Sequence, residues 1–279
     1  MKKRITISLL SVFFVLLLIF FISVADKRMP AKLPEEVKAF SYHMTSSFLI
    51  PLPEGYLMFD TGYEKSYGEF KRQLRESGIM TQEIKYLILS HHHDDHSGFT
   101  NRLLEENPAI RVILHQRTVP LISEGNNNTG NGGGIINPAI NTLFRLKLAI
   151  TPGWDFTFPP FTPRDRDIIL KDDLTDLTGR LGINAAIIST PGHTSDSISL
   201  IYNEKYLFCG DLASNMLNFF GAANLTIFNE DLKDVYDSWE KVLKSGSEVI
   251  IPSHGRPFSS ALLYKNMRAK DQSSTVPYI

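Results

Sequence analysis

A chain of 279 residues, 43% of them hydrophobic, is long enough for one large domain with a proper core or for two small ones. With 29 basic against 30 acidic residues the formal net charge is −1, so no broad positive field draws the chain onto nucleic acid. The single cysteine, Cys209, excludes an intrachain disulfide and a Cys-rich zinc module, and leaves the redox compartment unread.

The strongest break in composition lies at the N-terminus. Lys2, Lys3 and Arg4 precede an almost unbroken apolar run from Ile5 to Ala25, long enough to span a bilayer as a helix. The run exceeds the usual apolar region of a signal peptide, about 7–15 residues. That favours an uncleaved anchor over 1–25 against a signal peptide cut before Asp26. Either reading exports the working domain, membrane-anchored in one case and secreted in the other, although Lys27, Arg28 and Lys32 weaken the charge asymmetry. A polar, Pro-containing linker over 26–36 follows, and 37–279 reads as one domain.

Three extended segments open that domain: Val37 to His43, Ser47 to Leu52, and Tyr56 to Asp60, punctuated by Pro51, Pro53 and Gly55. Tyr63, Tyr67, Phe70 and Leu74 then recur at helical spacing, with Gly78 where a helix ends. Ile84 to Leu89 reads as a buried strand that stops at a cluster of histidines, and a helix over Thr100 to Glu106 and a strand over Arg111 to Leu114 complete a βαβ pattern. Regularity then fails over an insert at about 122–165. Gly125 to Gly134 is almost wholly Asn and Gly, and Thr151 to Pro163 is rich in Pro and aromatics. Such a stretch is a lid or substrate wall, or else a plain surface insertion. Strands return at Asp167 to Leu170, Ile183 to Thr190, Ser197 to Tyr202 and Tyr206 to Cys209. An amphipathic helix carrying Leu232, Val235, Tyr236, Trp239, Val242 and Leu243 is ended by Gly246, before a strand over Glu248 to Pro252 and a helix after Ser259.

Four of the eight histidines, His91, His92, His93 and His96, crowd into one loop with Asp94 and Asp95. Imidazole and carboxylate are the ligands that borderline divalent ions prefer, and alternate residues of a loop, His91 and His93, can point at one ion while Asp95 and His96 reach a second. Three more strand ends each present one ligand-type side chain: Thr190-Pro191-Gly192-His193, Cys209-Gly210-Asp211, and Pro252-Ser253-His254. Singly each is weak; four in one chain argue for one centre.

At this point the chain closely resembles the metallo-β-lactamase superfamily. The match comprises His91-x-His93-x-Asp95-His96, then His193, Asp211 and His254 in order, plus an upstream Phe59-Asp60-Thr61-Gly62, and covers about residues 38 to 260. The resemblance implies an α/β (α+β) fold, a four-layer αββα sandwich with metals at the open edge between the sheets, here preceded by the N-terminal hydrophobic helix. It implies two Zn2+ per chain, with iron or manganese as alternatives: His91, His93 and His193 on one ion, Asp95, His96 and His254 on the other, and Asp211 bridging. Asp60 matches the family's early aspartate, which supports the metal loop from behind, or else simply opens a turn with Gly62. His92 and Asp94 fill the variable places and are expected to face away from the metals; His43 and His115 match no ligand position.

The implied activity is hydrolysis of a small molecule. A hydroxide bridging the two ions attacks an ester-like, lactone, thioester, phosphodiester or amide group, with Asp95 and Asp211 as candidates to carry protons. Asp211 rather than Cys209 at the ligand position argues against the β-lactamases that use cysteine there. Little chain follows His254, so neither the helical domain with which glyoxalase II binds glutathione nor an appended flavodoxin-like domain is expected. Trp154, Phe156, Phe158, Phe219 or Phe220 are candidates for an aromatic substrate wall. The alternatives are an iron-dependent oxidoreductase of the same fold and a non-catalytic, membrane-tethered metal-binding protein. Nothing in the sequence sets the oligomeric state.

Overall fold

The computed structural model of the chain describes residues 31–127, 132–150, 156–267 and 276–277. The apolar N-terminal run expected as an anchor, residues 26–30 of the linker, and Trp154 lie outside the described residues. Among the described residues no helix is long and apolar enough to cross a membrane.

In chain order the first half contains β1 (Lys38–Tyr42), β2 (Thr45–Leu52), β3 (Gly55–Phe59), α1 (Tyr67–Glu76), β4 (Ile84–Ile88), α2 (Asp94–Ser97), α3 (Thr100–Glu106), β5 (Arg111–His115) and α4 (Thr118–Glu124). Then follow β6 (Gly134–Ile135), α5 (Pro138–Ile150), β7 (Ile168–Leu170), β8 (Leu174–Asp176), α6 (Thr178–Leu181), β9 (Ala185–Ser189), β10 (Ile198–Tyr202) and β11 (Tyr206–Phe208). The remainder is β12 (Phe228–Asn229), α7 (Leu232–Lys244), β13 (Val249–Ile251), β14 (Phe258–Ser259), α8 (Ala261–Met267) and β15 (Val276–Pro277). One six-stranded sheet runs β1-β2-β3-β4-β5-β7 and a second runs β14-β13-β11-β10-β9-β8, with a small sheet β12-β6-β15 beside them.

The layers follow from alternation along each strand, because successive side chains leave opposite faces. Phe48 and Ile50 of β2, Leu57 and Phe59 of β3, and Ile88 of β4 enter a core shared with Ile187, Leu200, Phe208 and Ile251 of the second sheet. Their neighbours Leu49, Met58 and Leu87 face outward onto Phe70, Leu74, Phe99 and Leu103. On the other side Ile188, Leu207 and Ile250 meet Val235, Trp239, Val242 and Leu262. Three cores between four layers make the expected αββα sandwich. The sheets touch through aromatic edges: Phe208 lies 5.2 Å, centroid to centroid, from Phe48 and 5.8 Å from Phe59.

The insert is more ordered than its composition implies. Between its Asn/Gly-rich and Pro-rich flanks lies the 13-residue helix α5. Asn137 Oδ1 accepts from the Ile140 amide, and Pro138 occupies the first helical position, where its missing N–H costs nothing. The two ends of the insert pair into a neck: the Phe158 amide donates to Gly125 O at 2.9 Å and the Asn127 amide to Phe156 O at 3.1 Å. Phe158 and Phe161 are buried in the core under α1 and α3, whereas Ile135, Ile136 and Ile140 join the core under α7. The insert is therefore rooted in both halves.

Its exit is locked by Arg164 and Asp167. The guanidinium donates to Ile110 O at 2.6 Å and to Asp167 Oδ1 at 2.8 Å, and that oxygen also accepts from the Val112 amide at 2.9 Å. Burial opposes the charge on Asp167, but Arg164 and the backbone amides outweigh it and hold the carboxyl below its ordinary value. A lowered folded-state pKa stabilises above the unfolded value, about 3.9, and that contribution is lost as pH falls through the lower folded value. Asp167→Asn is expected to cost about 1.5–3 kcal/mol in urea unfolding near neutral pH. The gap to the wild type should close below about pH 4.

Candidate metal centre

Five strands deliver the site. β3 runs parallel to β4; in the second sheet β11 runs parallel to β13, and β9 shares their direction because it lies antiparallel to β10, which is antiparallel to β11. Residues just beyond those C-terminal ends therefore collect at one edge, where ligand sites of α/β sheets sit. There the Ile198 amide donates to Ser90 O at 2.8 Å and the Ser46 amide to Ser253 O at 2.9 Å, stitching the sheets together.

Two glycines explain the motifs. Gly192 has φ +136° and a Cβ there would lie 2.4 Å from the Val235 amide nitrogen; Gly210 has φ +52° and its Cβ would lie 2.5 Å from Ser90 Oγ. Only glycine permits these close approaches, which place the next residues, His193 and Asp211, against the histidine loop.

Three overlapping groups result: His91, His93 and His193; His91, His96 and Asp211; and Asp95, His96 and His254, with ligand-type atoms within 4.8 Å of one another in each. These are metal-binding His/Asp sites. His254 Nε2 lies 3.1 Å from Asp95 Oδ2 and 3.3 Å from Asp211 Oδ1, and His193 Nε2 lies 3.6 Å from Asp211 Oδ2. His91 Nε2, His96 Nε2 and Asp211 Oδ1 are buried with no hydrogen-bond partner, a costly state for polar atoms that nothing else satisfies.

The imidazoles are oriented from behind. Nδ1 donates to Ser90 Oγ in His91 (2.9 Å), to Asp60 Oδ2 in His96 (2.9 Å), to Phe228 O in His193 (2.8 Å) and to Met44 O in His254 (2.6 Å). Each such bond fixes a tautomer that leaves Nε2 as a lone-pair donor to the centre. Asp60 does more. Its oxygens accept from the Ser90 amide and hydroxyl, each at 2.7 Å, from His96, and from Ser253 Oγ at 3.3 Å. Asp60 itself takes φ +58°, a left-handed conformation that aspartate tolerates.

The electrostatics call for positive charge. Burial works against protonating His254, yet Asp211 and Asp95 outweigh it and raise its pKa to about 10. His96 behaves likewise, opposed by burial and raised by Asp95, Asp211 and Asp60. Burial and the neighbouring imidazoles hold His91 and His93 far below their ordinary value. A divalent cation meets both demands, pairing the carboxylates and binding neutral imidazole.

His92 faces away from the centre, its Nδ1 3.0 Å from Asp196 Oδ1 and its Nε2 3.3 Å from Asn127 O. Asp94 joins none of the three groups either. It lines the cleft, because Asn127 of the insert draws it there: Asn127 Nδ2 donates to Asp94 Oδ1 and the Asp94 amide to Asn127 Oδ1, each at 2.8 Å. His43 is exposed and His115 buried, and neither joins the three groups. Cys209 is buried and its thiol is pushed up chiefly by that burial.

A cleft of about 130 Å3 opens beside these residues. Its apolar wall differs from the one expected. Phe156 contributes, but Phe158 is buried in the core, Phe219 is exposed, and neither Phe219 nor Phe220 lines the cleft. Phe144 from the insert and Met216, Leu217, Leu225, Ile227 and Phe228 take their place. Sequence reading also missed Ser90, Ser253 and Asn127. The two serines had a signal, each standing directly before a strand-end histidine; Asn127 had none, since only the folded insert brings it to the loop.

A sandwich that carries histidines and aspartates on strand ends to one edge defines a class of metal-binding proteins. The chain belongs to the metallo-β-lactamase superfamily, whose family model matches residues 42–254 and whose members are mostly metallo-hydrolases. It is 24% identical over 222 residues to a β-lactamase-like protein 2 homolog of Caenorhabditis elegans, covering 77% of this chain and 57% of that protein. It is 30% identical over 131 residues to a hydroxyacylglutathione hydrolase of Idiomarina loihiensis, covering 47% and 33%. The chain thus spans little more than half of the first relative and a third of the second. A metallo-β-lactamase structure from Cronobacter sakazakii shares the fold, with TM-score 0.58 and 19% identity over 88% of this chain and 93% of that one.

Asp60→Ala would strand the Ser90 amide, the Ser90 hydroxyl and His96 Nδ1 in the interior. The expected result is metal affinity weakened about 10–100-fold in competition with a chelating dye. Retention of wild-type affinity would deny Asp60 its orienting role.

Proposed function

We propose that this chain is a hydrolase working with two divalent ions, zinc foremost. In this reading His91, His93 and His193 hold one ion, Asp95, His96 and His254 hold the other, and Asp211 serves both. The observation that carries the reading is the placement of Asp211: Oδ2 faces His193 Nε2 at 3.6 Å, while Oδ1 faces His254 Nε2 at 3.3 Å and His96 Nε2 at 3.4 Å. Two ligands each about 2.0–2.1 Å from one tetrahedral ion stand about 3.4 Å apart, so these separations fit the spacing of a shared ligand. The orphaned Nε2 atoms of His91 and His96 and Oδ1 of Asp211 point the same way.

Bound there, divalent ions lower the pKa of water to near 7 and polarise an electrophilic oxygen. The chain's own groups do the rest. Ser90, Asp60, Phe228 O and Met44 O keep the Nε2 atoms aimed inward. Asp95, on the cleft side beside His254, accepts the proton released by the attacking water and returns it to the leaving group. The apolar wall excludes competing water from the reacting group. The substrate is a small molecule with an ester-like, lactone, thioester, phosphodiester or amide group. The relative named as a hydroxyacylglutathione hydrolase supports that range. The N-terminal basic-then-apolar segment supports export, with the domain anchored to the membrane or secreted.

A panel of lactone, thioester, phosphodiester, sulfate-ester and β-lactam substrates tests the reading with purified protein. At least one should be hydrolysed, the activity should vanish on chelation, and zinc should restore it. Asp211→Ala is expected to leave a folded domain and lower turnover by at least about 100-fold. Unchanged turnover refutes the assignment. Stoichiometric iron with dioxygen consumption moves the chain to the oxidoreductases.

A further inference from the structure

The cleft beside the metal centre is acidic on one side and apolar on the other. Asp94, Asp95 and Asp211 line it together with Phe144, Phe156 and Phe228. Among the described residues that line it, Lys147 alone is a lysine or arginine. It comes from the insert, three residues after Phe144 on α5, so the two side chains share a helix face and enter the cleft together. Leu146 and Ile150 of the same helix are exposed.

We propose that the substrate carries a carboxylate that pairs with Lys147, next to a compact apolar group seated among Phe144, Phe156, Leu225 and Phe228. The inference rests on the hydrolase reading for the position of the bond to be cut, and on the cleft itself for the recognition of the substrate. Three observations support it. The cleft, at about 130 Å3, is close to the cavity size that accepts a benzene-sized group, so its apolar part has room for a short acyl chain or one ring. A lysine at a half-buried, partly apolar position pays for its charge in lost hydration, which burial expresses by pulling its pKa down while Asp95 and Asp94 push it up. Lys147 also shares the lining of the cleft with Asp94 and Asp95, whose field it feels.

The sign and number of charges narrow the ligand. Lys147 brings a single positive charge to the lining, which matches one negative charge on the ligand. Lys147 also lies in the last turn of α5, where the negative end of the helix dipole favours the ammonium charge. A carboxylate is a singly charged group that one ammonium can pair with beside an apolar wall. If Lys147 served only to hold the insert against Asp94 and Asp95, its loss would slow all substrates alike, which separates the two roles.

The test uses the full zinc-loaded chain and two esters with five-carbon acyl groups, mono(4-nitrophenyl) glutarate, which has a terminal carboxylate, and 4-nitrophenyl pentanoate, which has none. The wild type is expected to favour the glutarate ester by about tenfold in kcat/KM, mostly through KM, the value of one charged hydrogen bond. Lys147→Gln should bring the ratio of the two esters to near one, Lys147→Arg should keep most of it, and Lys147→Glu should invert it. A second readout does not need turnover: calorimetric binding of monomethyl glutarate should weaken about tenfold in Lys147→Gln. An unmoved ester ratio, or binding that is absent or unaffected by the substitution, overturns the carboxylate site. If neither ester is cleaved yet binding depends on Lys147, the hydrolase reading has failed and the carboxylate site stands.

Discussion

One buried carboxylate holds the working edge of this molecule together. Asp60 sits at the end of β3 and receives hydrogen bonds from Ser90 and His96 in the histidine loop and from Ser253 at the end of β13 in the other sheet. It is fully buried, so its charge has no water to fall back on and depends on those donors. The donors depend on it in turn: without it a serine amide, a serine hydroxyl and an imidazole N–H face a dry interior. The histidine loop is therefore rigid before any ion arrives.

Everything else about the site is a matter of strand direction and close approach. Five strands of the two sheets aim their C-terminal ends at the same edge, and the glycines before His193 and Asp211 let the second sheet's loops close onto the first. α7 reinforces this from outside, since Trp239 Nε1 donates to Leu212 O, one residue past Asp211. The metal-binding groups thus stand at the strand ends of the two packed sheets, while the cleft wall comes from the loop before β12 and from an insert rooted in two different cores.

The strands and long helices were legible because their burial is periodic: β3 alternates Leu57, Met58 and Phe59 between two cores, and α7 repeats Val235, Trp239 and Val242 on one face. The His/Asp set was legible because each member follows a strand, and strand ends are readable. The cleft was not. Phe158 and Phe219 look alike in sequence, yet one is core and the other surface, and only the path of the insert decides this. The partner of Asp94 was hidden for the same reason, since Asn127 is brought to it by a fold that no local pattern announces. α5 was hidden by its flanks, although Asn137-Pro138 is a readable helix start.

The neck that closes the insert at Gly125 and Phe158 separates two regimes of change. Beyond it, outside the buried anchors Ile135, Ile136 and Ile140, residues can be added or replaced at little energetic penalty, since doubling the length of a flexible loop costs only about 0.6 kcal/mol of closure entropy. Below it, the histidine loop tolerates almost nothing, because every donor is spoken for. A lineage of such chains is therefore free to drift in what it recognises while its chemistry stays put. Asn127 ties the two regimes together, since it grips Asp94 from the insert's side and would have to be kept or replaced in kind.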